Sequence, residues 1–271
     1  MREGRREFLA GMGAAWLALG IRPSVARAGQ RLEFRLPSGP HAPSDAPDVA
    51  VHLPSRLDAR APVHWLIFLH GFSSCARALM AEGEAPCQGN GPPQRGYGLA
   101  ALHERTRGNT LLIVPQLAFL TRDARAHRFQ QQDGFARFVA ELRGLLAPSL
   151  RSKADPASIT LLAHSAGYHA ASCIVASDGP HEVRNVVLFD ALYAHWDVFA
   201  RWLEQRPSRQ LISLYTHDRD TTEGNRKLAA LLRRAEPPVS DRLRIERVNT
   251  PHRLVPERHL ESVLDSLFRV P

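Results

Sequence analysis

Ile159-Thr160-Leu161-Leu162-Ala163-His164-Ser165-Ala166-Gly167 is the stretch that decides how the rest of the chain is read. An apolar, strand-like run ends in a serine flanked by small residues, and Tyr168 to Ala176 then continues at helical spacing. Small residues at 163, 166 and 167 let the backbone turn sharply from strand to helix. Such a turn exposes the serine hydroxyl at the carboxyl end of a sheet, above a helix N-terminus. Ser165 is therefore a nucleophile candidate. The pattern opens with Ala163 where glycine is usual, a difference of one methyl group.

Working outward, short continuous apolar runs recur: Trp65 to Leu69, Leu111 to Val114, Val186 to Phe189 and Leu211 to Tyr215. Runs of this kind mark parallel strands covered on both faces. Leu32 to Leu36 and Val49 to Leu53 alternate instead, as half-exposed opening strands do, and Leu243 to Val248 reads as the final strand. Between the runs, Phe135, Phe138, Val139, Leu142, Leu145 and Leu146 fall at helical spacing. So do Trp196 to Gln205, then Leu228, Leu231 and Leu232, and finally Leu260, Val263, Leu264, Leu267 and Phe268. The alternation implies an α/β fold, a doubly wound and mostly parallel sheet flanked by helices. Two long irregular segments, Ser73 to Gly96 and Gln116 to Gln132, follow strands and should overhang the ligand edge. The second carries Arg122, Asp123, Arg125, His127 and Arg128, which suits a solvated flap better than an anion site.

The amino end differs from the body. Arg5-Arg6 precede an apolar stretch from Phe8 to Ile21, and Ala26-Arg27-Ala28 closes it. This resembles a cleavable export signal of the twin-arginine type, with cleavage after Ala28. Residues 29–271 are then a single domain in a bacterial, periplasmic or secreted protein. Residues 1–28 carry five arginines and two glutamates, so their loss takes the formal charge from +8 to +5. The remaining basic residues are scattered, nearly all arginine, and form no stripe for nucleic acid. No apolar run reaches the roughly 18 residues that a bilayer span requires. Hydrophobic and charged contents of 44% and 23% are those of a globular chain. The cysteines, Cys75, Cys87 and Cys173, have no metal-binding spacing; Cys75 and Cys87 flank a Gly/Pro-rich loop and can pair in an oxidising compartment.

Acyl transfer needs a base, an acid to orient it and donors for the oxyanion. His70-Gly71-Phe72 follows the strand ending at Leu69 and can offer the N–H of Phe72, with that of Ala166 as second donor. His252, in the loop after the last strand, is preferred as base over His259, which lies inside the final amphipathic helix. Three carboxylates compete for the role of acid. Asp218 is the first choice, Asp190 the alternative and Asp220 the third; capping a helix or fixing a turn is the rival role of each. His164 reads as a packing residue at the sheet edge, and His70 as a stabiliser of its own loop.

In this order (strand, His-Gly-Phe, strand, Ala-His-Ser-Ala-Gly, strand, Asp, strand, His) the chain resembles the α/β-hydrolase superfamily over most of residues 31–271. The resemblance implies a Ser-His-Asp hydrolase of the esterase or lipase kind, with no metal or other cofactor. It implies an acyl-enzyme on Ser165 and a small-molecule or polymeric ester as substrate. The strand ending at Phe189 is followed at once by the modest helix Trp196 to Gln205, which leaves little room for a large lid and so a relatively open site. The rival expectations are an amidase or peptidase of cell-wall material, and a non-catalytic hydrolase fold that binds a ligand.

Overall fold

The apolar runs become neighbouring strands whose registers set their ends level. In the computed structural model, which describes residues 29–40, 46–117, 119–122, 125–150, 155–177 and 183–268, the chain forms the following elements. In chain order they are β1 (Gln30–Phe34), β2 (Val49–Leu53), β3 (His64–Leu69), α1 (Ala76–Met80), β4 (Glu84–Pro86), β5 (Pro93–Arg95), α2 (Leu99–Arg105), β6 (Thr110–Pro115), α3 (Gly134–Leu146), β7 (Ile159–His164), α4 (Gly167–Ala176), β8 (Val183–Phe189), α5 (Trp196–Glu204), β9 (Gln210–Tyr215), α6 (Arg219–Leu232), β10 (Leu243–Arg247) and α7 (Val255–Leu267). The expected signal and its cleavage site, residues 1–28, lie outside the described residues, as does Asp123.

Eight strands share one sheet in the order β1-β2-β6-β3-β7-β8-β9-β10. β1 and β2 run antiparallel to their neighbours and the other six are mutually parallel. This is the doubly wound α/β-hydrolase fold. Alternate side chains of each central strand enter opposite layers. Trp65, Ile67 and Leu69 of β3 pack with Phe138, Leu142, Ala170, Phe199 and Leu228 from α3 to α6. Leu66 and Phe68 meet Leu99 and Leu102 of α2 and Leu260 and Val263 of α7. At about 25 cal/mol per Å² of apolar surface removed from water, these two layers are the main source of stability.

Four expectations need adjustment. Val49 to Leu53 is buried throughout rather than half-exposed, because β2 lies inside the sheet between β1 and β6. The segment Ser73 to Gly96 is not irregular: it holds α1 and the antiparallel β4–β5 hairpin, with Cys75 and Cys87 joined across it at a Cα separation of 5.8 Å. The flap around residue 127 is anchored. Ala126 and Phe129 are buried, Phe129 against Phe135 and Phe138, and the Arg128 guanidinium donates to the carbonyls of Pro37 and Gly39. Leu145 and Leu231, which fit the helical pattern, are exposed.

The topology places a crevice at one edge. The chain leaves β3 for β6 on one side and returns to β7 on the other, and ligands of open α/β sheets bind outside the strand ends at such a switch point. Only residues 190–195 separate β8 from α5.

Candidate active site

Strand register brings the candidate residues to one level. Leu69 of β3 pairs with Ala163 of β7, so Gly71 and Ser165, each two residues further on, leave the sheet together. His164 pairs with Phe189, which puts Asp190 beside Ser165. Ser165 sits at φ 53° and Asp190 at φ 46°, left-handed conformations that non-glycine residues seldom adopt. Each costs of order 1–3 kcal/mol and persists only because the surrounding structure holds it. The turn at Ser165 depends on close packing. A Cβ on Gly167 would lie 2.1 Å from the Leu69 carbonyl oxygen, and one on Gly71 would lie 2.8 Å from Ser165 Cβ.

His70 fixes the loop that crosses over Ser165. It is fully buried, which pushes its pKa down to about 4 and keeps the ring neutral. The Leu117 N–H donates to Nε2 at 3.0 Å, so the proton belongs on Nδ1, which donates to the Gly71 carbonyl at 2.8 Å. The C=O and N–H of one planar trans peptide point in opposite directions. Holding Gly71 C=O toward His70 thus turns the Phe72 N–H away from it. Among the described residues neither the Phe72 N–H nor the Ala166 N–H has a hydrogen-bond acceptor, and both are free to receive an oxyanion. The Phe72 ring is exposed at the surface.

The carboxylate beside His252 is Asp190. Its Oδ2 accepts from His252 Nδ1 at 2.7 Å and from Thr216 Oγ1 at 2.8 Å; its Oδ1 accepts from Thr216 N and Thr221 Oγ1 at 2.9 and 2.7 Å. Burial of this fully enclosed carboxylate acts to raise its pKa. The hydrogen bonds from His252, Thr216 and Thr221 outweigh burial and hold it below the ordinary range. Asp218, the first choice from sequence, is not brought to His252. Its Oδ1 accepts from Asp220 N and Thr221 N at 2.9 and 3.1 Å, which makes it the N-cap of α6. Asp220 lies exposed in the first turn of that helix. His259 is bonded to Thr250 Oγ1 at 2.9 Å, within its own end of the chain.

Sequence reading missed several residues. Thr216 and Thr221 complete the shell around Asp190, and no motif announces them. Tyr193 neighbours Ser165, and its ring lies 6.5 Å from that of His252, nearly perpendicular to it. Burial and the carboxylates of Asp190, Asp218 and Asp220 raise its pKa, so it keeps its proton. Among the hydrogen bonds of the described residues, none joins Ser165 Oγ to His252. Catalytic hydrogen bonds are often open in a protein without substrate.

Comparison with solved structures gives the same fold at very low sequence identity. A ferulic acid esterase superimposes with a TM-score of 0.55 at 10% identity, over 82% of this chain and 91% of that one. Esterase B from Lactobacillus rhamnosis, inhibited by a tributyrin phosphonate, gives 0.53 at 11% identity, over 90% and 88%. Esterase 2 from Thermogutta terrifontis gives 0.50 at 10% identity, over 92% and 95%. No protein-family model matches the sequence, and no curated protein does.

Proposed function

We propose that this chain is an exported serine hydrolase that cleaves carboxylic esters through an acyl-enzyme on Ser165. One observation carries the reading: a buried, multiply hydrogen-bonded Asp190 grips Nδ1 of His252 beside a serine on a left-handed strand-to-helix turn. In this reading Ser165 Oγ turns to His252 Nε2, gives up its proton there and attacks the acyl carbon. The N–H groups of Phe72 and Ala166 receive the oxyanion. His252 then protonates the leaving alcohol, and Asp190 stabilises the imidazolium without itself taking the proton. A water activated by His252 releases the acid. Esters are favoured because the solved structures of like fold include three esterases. Export rests on the twin-arginine signal read in residues 1–28.

A fluorophosphonate probe tests the reading. Wild-type protein should be labelled and should hydrolyse short-chain esters; Ser165→Ala should lose both. Label found in the cytoplasm of the native host, and unmoved when Arg5 and Arg6 are replaced by lysine, would refute export alone. A non-catalytic binding protein is the second reading, favoured by the lack of a hydrogen bond between Ser165 Oγ and His252 among the described residues. It predicts no labelling and no turnover in the wild type.

A further inference from the structure

His164, the residue before the nucleophile, is more than a packing group at the sheet edge. It ends β7, is buried, and its Nε2 lies 3.1 Å from the backbone carbonyl oxygen of His252. A carbonyl only accepts, so Nε2 carries the proton and Nδ1 is left as an acceptor. The Tyr97 hydroxyl, 3.4 Å from Nδ1, is the donor there. Burial, helped by the neighbouring His252, pushes the His164 pKa down to about 3. Burial likewise pushes Tyr97 up to about 12. Both protonation states therefore hold across the range in which a hydrolase works. The rings of His164 and His252 lie 4.8 Å apart and tilted by 32°, and Tyr97 packs edge-on against Phe68 of β3.

We propose that His164, oriented by Tyr97, is a positioning residue for the base: it ties the His252 backbone to the strand that carries Ser165. The inference rests on the ester-hydrolase reading above. Without this bond the His252 loop, at the end of the edge strand β10, is referenced to the sheet through β9 and β8. With it, the loop that carries the base is tied directly to the end of the strand that leads into the nucleophile. Asp190 fixes the ring from Nδ1 and His164 fixes the backbone from the carbonyl, so the direction of Nε2 is set from two sides.

Purified full-length wild type, His164→Leu, His164→Gln and Tyr97→Phe should be compared by steady-state kinetics on a soluble short-chain ester and by the rate of fluorophosphonate labelling. Outer partners that orient metal-binding histidines typically contribute about 10- to 100-fold in affinity or activity, and the same scale is expected for a histidine oriented as a base. His164→Leu should lose about that much in kcat, with KM within about threefold of wild type. His164→Gln, whose amide N–H can reach the same carbonyl, should recover most of it. A packing role alone predicts that Leu and Gln lower kcat alike, and that result would overturn the inference, as would full activity in His164→Leu. Should His164→Leu fail to fold, Tyr97→Phe decides: a fall of about three- to tenfold in kcat at unchanged KM supports the proposal, and unchanged kcat sinks it. A wild type that is neither labelled nor active defeats the ester-hydrolase reading itself and takes the inference with it.

Discussion

At the scale of single residues, the site separates two aspartates that sequence position alone cannot. Asp190 and Asp218 both stand just past a strand, but only Asp190 is enclosed, and it receives four hydrogen bonds including that of His252. Asp218 is exposed and caps α6. Asp190→Asn leaves the shape intact and reverses the hydrogen-bonding need at His252 Nδ1, which should lower kcat by roughly 10⁴-fold. Asp218→Asn keeps an N-cap and should leave kcat within a few-fold; Asp218→Ala should lose about 1 kcal/mol of stability. Steady-state rates and urea unfolding of the three variants check both statements, and equal rates for the two Asn variants would refute the assignment. The sharp turn at Ser165 was legible because an elbow is a local object, made by residues that are neighbours in sequence. Which carboxylate meets His252 was not, because that depends on how far His252 reaches across β9 to β8, a distance no local pattern encodes. The role of His164 was hidden for the same reason.

At the scale of elements, the central strands were readable because burial on both faces demands continuous apolar residues, as in Leu111 to Val114 and Val186 to Phe189. The short pieces were not. α1 has five residues and α2 seven, too few to display a period, and the three-residue strands β4 and β5 sit among glycines and prolines. The disulfide joins this otherwise thin region, closing a 12-residue interval directly after the Phe72 loop. Packing of α4 on β3 is a tight junction in the site. Gly167→Ala would set a methyl 2.1 Å from the Leu69 carbonyl oxygen, where backbone rather than a pliable side chain must move. A loss of about 1–3 kcal/mol in chemical unfolding is expected. Activity should fall too, because the same shift separates the Ala166 N–H from the Phe72 loop. Unaltered stability would show that helix and strand can part at no cost.

At the scale of the molecule, buried neutral histidines set an acid limit. His52, His70 and His164 have pKa values pushed down by burial to about 4, about 4 and about 3. His103, bonded through Nδ1 to His52 at 2.9 Å, is lowered well below its ordinary value by the same cause. Unfolded, each histidine titrates near 6.5. Stability is therefore complete above that pH and declines as pH falls below it, because the unfolded chain takes up protons that the native state refuses. The decline from each group ends once pH passes its folded value. By pH 5 each contributes a loss of roughly 2 kcal/mol, which urea unfolding at pH 7.5 and pH 5 should reveal as a large drop in midpoint. A midpoint that does not change over this interval would mean that these rings are not neutral inside the fold.

The site also has an order in time. A ribosome makes the chain from its amino end, so on the proposed reading the oxyanion loop at 70–72, the nucleophile at 165 and the acid at 190 all emerge before the base. His252 arrives only with the loop between β10 and α7, and α7 must seat Leu260 and Val263 in the second core layer before that loop has a fixed place. On the proposed reading, a nascent chain displays a nucleophile with no base to activate it. Hydrolysis then begins at the completion of folding, and an unfinished molecule is harmless to the esters of the cell that makes it.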